Sequence, residues 1–167
     1  MGTPLYLSSL SCELRIIQAK NIEFKSSGGF FVRYYLSTEN NKRVQLNSRL
    51  AISSKSNIIW NEVFSFGCLG PEESIDNLKK QTVVFELRWR NTVPVFGKVG
   101  KSQLVGRAEI PWKTVFESPN MEMETCVILV SKNSNVFELV SPPSLQIAMK
   151  VRVPAMVEID KKRRNIA

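Results

Sequence analysis

Apolar and polar residues alternate with a period of two along most of this chain, and polar or glycine-containing turns interrupt the alternation. A period of two sends successive side chains to opposite faces of an extended strand, so the pattern predicts half-buried β-strands. In one run, Val83, Phe85 and Leu87 are apolar, while Glu86 and Arg88 stand between or beside them. Eight runs of this kind occur, at residues 12–16, 32–36, 44–46, 58–66, 83–89, 104–110, 123–130 and 145–153.

A sheet with one apolar face has to bury that face against another layer. The eight runs therefore predict an all-β fold, an eight-stranded antiparallel β-sandwich made of two sheets packed face to face. One segment breaks the pattern: "GPEESIDNLKK" has Pro71 at its start, Glu72 and Glu73 in its first turn and Lys79 and Lys80 in its last. These are helix start and stop signals, so we expect one short helix near residues 71–80.

The length of 167 residues fits one domain. We expect an N-terminal segment at 1–9, the sandwich at 10–153 and a basic C-terminal tail at 154–167. Lys161, Lys162, Arg163 and Arg164 in this tail carry half of the net charge of +8. The sequence leaves open whether the tail is simply solvated, serves as a nuclear-localisation signal or contacts acidic lipid.

The cysteines and the apolar runs indicate the compartment. Cys12, Cys68 and Cys126 are odd in number and stand among apolar residues, which is typical of reduced core thiols in a cytosolic protein. The N-terminus lacks a secretory signal pattern, and no apolar run approaches the length of about 18 residues typical of a membrane span. We expect a cytoplasmic protein that meets membranes only peripherally.

Catalysis and nucleic-acid binding find little support. The chain has no histidine, which removes the usual base of Ser-His-Asp and Cys-His sites and the commonest zinc ligand. We expect no enzyme activity, no cofactor and no metal. A pI of about 9.6 favours anionic partners, yet no helix-turn-helix, zinc finger or ribonucleoprotein motif accompanies it, which argues against nucleic acid as a partner.

Three pieces of the chain resemble a known family, the C2 domains. They are "LRIIQAKNI" running into "GGFFVRYYL", then "IIWNEVFSF", then "VVFELRWR" followed after a loop by "LVGRAEIPW". The resemblance covers about residues 10 to 153. It implies a β-sandwich module that binds phospholipid, with connectivity similar to the family's second topology.

The resemblance also implies a calcium site, which in this family is commonly built from about five aspartates in the first and third loops. Calcium needs several carboxylate oxygens that converge on one point. This chain has two aspartates, Asp76 in the predicted helix and Asp160 in the tail. The positions that align with the family's ligands hold Glu23, Gly29, Trp89, Asn91 and Ser102. We therefore expect no conventional calcium site.

The loop at 91–103 has no carboxylate. Basic residues surround its apolar tip: the basic set is Arg88, Arg90, Lys98 and Lys101, and the tip is Val95, Phe96 and Val99. Such a loop is suited to an anionic membrane that it contacts without calcium. The alternative is that the three apolar residues fold back over the end of the sandwich.

A second basic surface is predicted on the polar side of the second and third strands, with Arg33 and Arg43 and also Lys42 and Arg49. The resemblance places a patch that contacts phosphoinositide head groups there; the alternative is an ordinary solvated sheet face. We therefore expect a module that binds anionic phospholipids or phosphoinositides independently of calcium. The competing interpretation is a protein-interaction or scaffold module that uses the same loops or the strand edges.

Overall fold

The computed structural model describes residues 6–22, 28–37, 42–52, 57–70, 73–93, 97, 100–131, 142–152 and 157–158. Most of these residues belong to strands. The elements are β1 (Tyr6–Lys20), β2 (Gly28–Ser37), β3 (Arg43–Asn47), β4 (Ile58–Gly70), α1 (Glu73–Lys79), β5 (Thr82–Asn91), β6 (Gln103–Pro111), α2 (Trp112–Phe116), β7 (Glu122–Ile128), β8 (Ser144–Arg152) and β9 (Val157–Glu158).

The strands form two antiparallel sheets, which confirms the predicted sandwich. One sheet has the order β4-β1-β8-β7, and the two-residue strand β9 pairs with the start of β1. The other has the order β3-β2-β5-β6. The predicted helix is confirmed as α1, and the structure adds a second short helix, α2, which the alternation does not predict.

The core lies between the sheets and consists of the inward set of each alternating run. Its largest fully buried side chains include Trp60, Trp112, Phe30 and Phe85. Tyr34 also faces this core; burial, and to a lesser degree the carboxylate of Glu62, raises the pKa of its phenol above the ordinary value of 10.0. Among the described residues, no helix has the length and hydropathy needed to cross a bilayer.

The "WNE" triplet of β4, residues 60–62, connects the two sheets at one edge through hydrogen bonds to the backbone of Arg49, which follows β3. Trp60 Nε1 donates to the carbonyl oxygen of Arg49 at 3.0 Å, and the amide of Arg49 donates to Glu62 Oε2 at 3.0 Å. Asn61 between them has a φ of 47°, in the left-handed region that asparagine tolerates better than most residues. It lies where the register between β1 and β4 shifts.

The cysteine prediction is right for Cys12 and wrong for Cys126. Cys12 is buried in the core, whereas Cys126 is exposed. Cys126 is in phase with Glu122 and Glu124 along β7, so the alternation turns it toward solvent. The side chain of Cys68 lies outside the described residues.

Candidate functional site

The outer face of the β3-β2-β5-β6 sheet brings together four of the predicted basic residues, Arg33, Arg43, Arg88 and Arg90. Residues opposite each other in antiparallel strands share a face, and Arg33 lies opposite both Asn47 and Glu86, while Phe31 lies opposite Arg88. Arg43 is opposite Ser37, two positions beyond Tyr35 on the same face. We call five of these residues the arginine–aromatic face: Phe31, Arg33, Tyr35, Arg43 and Arg90.

Each arginine of this face stacks on an aromatic ring. The Cζ atoms of Arg33 and Arg90 lie 5.6 Å and 5.1 Å from the centroid of the Phe31 ring. The Cζ atom of Arg43 lies 4.1 Å from the centroid of Tyr35. Cation–π contacts of this kind contribute about 0.5–1 kcal/mol each at exposed sites. They also restrict the guanidinium groups to defined positions on the sheet.

Phe31 is buried although it lies on the outer face of its sheet. Two arginine side chains cover its ring, which accounts for its burial outside the main core cluster. Long arginine side chains commonly cover apolar surface in this way while their charged ends stay in water. The ring therefore acts as a platform for Arg33 and Arg90.

Arg88 is on the same face but has a different role. Its side chain is only 18% exposed, and its Nη1 atom lies 2.9 Å from Glu86 Oε1. Nε donates to Ser102 Oγ at 2.7 Å, and Nη2 donates to the Ser102 carbonyl oxygen at 3.3 Å. Tyr35 donates its hydroxyl to the same Glu86 oxygen at 3.3 Å. Arg88 thus has a compensated charge and ties the segment before β6 to β5.

The other predicted site residues are spread more widely. Lys42 is exposed just before β3, and Lys101 is exposed just before β6. Arg49 is exposed, but its backbone contacts with Trp60 and Glu62 place it at the β3–β4 edge of the sandwich. Val95, Phe96, Lys98 and Val99 lie outside the described residues, as does the basic tail at 161–164.

The described residues at the family's calcium positions have other roles. A Cβ atom on Gly29 would come within 2.7 Å of Leu50 Cγ, so this position has no room for a side chain. Asn91 Oδ1 accepts a hydrogen bond from the Val93 amide at 3.0 Å, and Ser102 binds Arg88. Glu23 lies outside the described residues. In the described part of the chain, no three His, Cys, Asp or Glu side chains are grouped so that they could hold a metal ion.

Sequence reasoning missed the aromatic residues of the face as partners of the arginines. Phe31 and Tyr35 are two positions either side of Arg33 and therefore share its phase along β2. This shared phase could have shown from the sequence that both rings lie on the same sheet face as Arg33. Phe30, Val32 and Tyr34 are the residues of β2 that point into the core. The rings of Phe31 and Tyr35 therefore lie on the outer face.

Comparison with known proteins identifies the family. The model of the C2 domain family matches residues 10–127, which is more than half of the chain. No curated protein sequence matches the chain.

Similar solved structures agree on the fold. A structure of CC2D1B, which coordinates an activity in the mitotic reformation of the nuclear envelope, has a TM-score of 0.65 and 14% identity over 92% of this chain and 65% of that chain. A fragment of Extended-Synaptotagmin 2 that contains an SMP domain and two C2 domains has a TM-score of 0.57 and 15% identity over 90% and 29% of the two chains. Human GIVD cytosolic phospholipase A2 has a TM-score of 0.56 and 15% identity over 92% and 17%.

This chain thus spans less than two thirds of each of these three longer chains. At such low identity the likeness concerns the fold alone. The family assignment comes from the matched family model together with the sandwich of two antiparallel sheets. This chain belongs to the C2 domain family.

Proposed function

We propose that this chain is a non-catalytic module that binds anionic phospholipid membranes peripherally and without calcium, through the arginine–aromatic face. One observation carries the proposal. Arg33, Arg43 and Arg90 stand on one outer sheet face, each against an aromatic ring. Within the described residues, no carboxylate forms an ion pair with any of the three, since Glu86 pairs with Arg88.

The chemistry of the face suits phosphate. A guanidinium group presents parallel N–H donors that match two phosphate oxygens, and such charge-assisted hydrogen bonds are among the stronger ones in proteins. Each cation near an anionic leaflet contributes on the order of 1 kcal/mol. Three arginines would therefore give reversible association, which screening by salt would weaken. Phosphoinositides and phosphatidylserine both supply the required anionic head group.

Two of the proteins with similar structures support this proposal. One is a phospholipase, and another, CC2D1B, acts in the reformation of the nuclear envelope. A membrane-facing role for this chain is consistent with both.

Vesicle sedimentation tests the proposal. The parent chain and the double variant Arg33→Glu/Arg43→Glu are mixed with vesicles of phosphatidylcholine alone, or with added phosphatidylserine or phosphoinositide, in calcium or in chelator. The matched control is Arg15→Glu/Arg152→Glu, which makes the same change in net charge on two exposed residues of the other sheet. We expect anionic vesicles to bind the parent and the control in chelator, and to bind the face variant several-fold less.

Two results would contradict the proposal. The first is equal uptake of the face variant and the parent at low salt, which would make the face an ordinary solvated surface. The second is uptake that requires calcium.

We propose further that the loop at 91–103 adds an apolar contact to the membrane. Phe96→Asp should then reduce vesicle uptake and leave the melting temperature nearly unchanged, because a membrane-facing residue has little folded packing to lose. Insertion of a phenylalanine side chain contributes roughly 1.5–3 kcal/mol. A large drop in melting temperature would instead assign Phe96 to the packed core.

A further inference from the structure

In the described part of the chain, the strand β4 is a long sheet edge whose regular pairing with β1 is interrupted at Asn61, where the register shifts. It has 13 residues and ends the order β4-β1-β8-β7, whereas the edge strands β3, β6 and β7 have 5, 9 and 7 residues. Edge strands expose unpaired N–H and C=O groups, and proteins commonly guard them with lysine, proline or short length. β4 contains no lysine, arginine or proline. Its one charged side chain, Glu62, accepts the Arg49 amide.

Apolar side chains accompany this edge. Ile59 and Val63 on the outer side of β4 are 60% and 45% exposed. Ile52, in the connection that leads to β4, is 73% exposed. On the inner side, Phe64 and Phe66 are only half-buried and pack against the core cluster. A strand added to β4 would therefore find apolar contacts for its side chains on both faces.

The charges near the edge indicate which occupant fits. Arg15 is exposed and lies directly opposite Val63, and Arg49 is exposed beside Glu62. Two carboxylates are also near the edge, but both are half-buried: Glu62 accepts the Arg49 amide, and Glu13 lies opposite Ser65 on β4 and Lys150 on β8. A second copy of this chain would bring Arg15 and Arg49 close to the same cations, and the basic tail at 161–164 carries the same sign. The carboxylates of an acidic partner segment would instead be attracted to the two exposed arginines, Arg15 and Arg49.

We infer that the free edge of β4 binds an extended segment of a partner protein in which apolar β-branched or aromatic residues are flanked by Asp or Glu. The segment joins the sheet as an additional strand beside β4. Backbone hydrogen bonds supply affinity, while Ile59, Val63 and the two arginines supply selectivity. This surface lies on the sheet opposite to the arginine–aromatic face, so the inference does not depend on membrane binding.

The test starts with random peptides displayed on phage and selected on the full chain. We expect the enriched peptides to have apolar residues at alternate positions and an excess of Asp and Glu. The strongest peptide is then synthesised, and its binding is measured by fluorescence anisotropy. Val63→Lys and, separately, Ile59→Lys should weaken it by about tenfold or more, as expected for a charge placed in an apolar contact.

The matched control is Ile128→Lys. Ile128 is 62% exposed on β7, the edge strand at the far side of the same sheet, and this variant should bind the peptide like the parent. Arg15→Glu/Arg49→Glu should weaken binding of the acidic peptide. A melting temperature close to that of the parent ensures that each variant is folded.

Three results of the peptide experiments would overturn the inference. They are a selection that enriches no peptide, an enriched peptide that binds both β4 lysine variants as well as the parent, and a peptide whose binding is insensitive to Arg15→Glu/Arg49→Glu. Sedimentation equilibrium provides the remaining check. A dimer that Val63→Lys dissociates would assign the edge to a second copy instead.

Discussion

Neighbouring arginines of one strand face have different roles in this molecule. Arg88 and Arg90 are two positions apart on β5, and the sequence predicts the same exposed cation for both. The structure gives Arg88 a carboxylate partner in Glu86 and a hydroxyl partner in Ser102, whereas Arg90 stacks on Phe31. Only the second arrangement leaves a charge for an external anion. Glu86 is two positions from Arg88 on the same strand, but Ser102 and Phe31 come from other segments, which the local sequence does not specify.

Ser48 is a single polar residue on which the end of β3 depends. It is buried, and its hydroxyl accepts the Val32 amide at 2.8 Å and donates to the Arg49 carbonyl at 3.1 Å. Ser48→Ala leaves a buried amide of β2 without an acceptor, which costs about 1–3 kcal/mol. We expect urea unfolding to show a loss of free energy of unfolding of that size.

The control for this measurement is Ser118→Ala. The hydroxyl of Ser118 also makes a short hydrogen bond, to the Thr114 carbonyl at 2.7 Å, but in an exposed setting where water can replace it. The stability of this variant should stay close to that of the parent. Equal stability of the two variants would show that the Val32 amide finds another partner.

At the scale of elements, the sequence pattern predicted the long strands and the helix α1 but missed the short helix α2 and the short strand β9. All eight predicted strands are present, and α1 occupies the predicted helical segment, because patterns of many residues specify these elements. The five residues of α2 and the two of β9 are too few for any period to show. For the site, alternation placed Arg33 and Arg43 on one face, but their aromatic platforms and the position of Arg49 at the sandwich edge required the pairing register.

The close approach of β2 to β5 sets a limit on substitution in the "GGFF" segment. A Cβ atom on Gly28 would overlap with the Arg90 carbonyl oxygen and would lie 2.6 Å from the Trp89 ring. Backbone cannot yield as a flexible side chain does, so Gly28→Ala should destabilise the fold by about 1–3 kcal/mol, as overpacking does. Thermal unfolding measures the effect.

Gly67→Ala on β4 is the matched control, because the nearest atom to its new Cβ would be the Leu10 carbonyl oxygen at an ordinary 3.4 Å. We expect its melting temperature to stay near that of the parent. If Gly28→Ala unfolds at the parent's temperature as well, the two strands can separate at that point without a penalty.

At the scale of the whole molecule, two surfaces of different chemistry lie on different sheets. The arginine–aromatic face is on the β3-β2-β5-β6 sheet, and the apolar edge of β4 is on the other. The net charge of +8 favours the approach of anionic partners to either one, and this steering weakens as salt is added. The two proposals use separate residues, so a variant of one surface should alter binding at the other only through the change in net charge.

Calcium should have no effect on the stability of the whole domain. A ligand that binds the native state raises the free energy of unfolding by about 2.7 kcal/mol at one hundred times its Kd, so even moderate affinity is visible in a thermal scan. The described family positions offer Gly29, Asn91 and Ser102 rather than carboxylates, and hard cations of this size require several carboxylate oxygens. We therefore expect the same melting temperature in calcium, in magnesium and in chelator, and no heat of binding in calorimetric titration. Magnesium controls for general charge screening, and a midpoint that rises with calcium but not with magnesium would establish a site built from other residues.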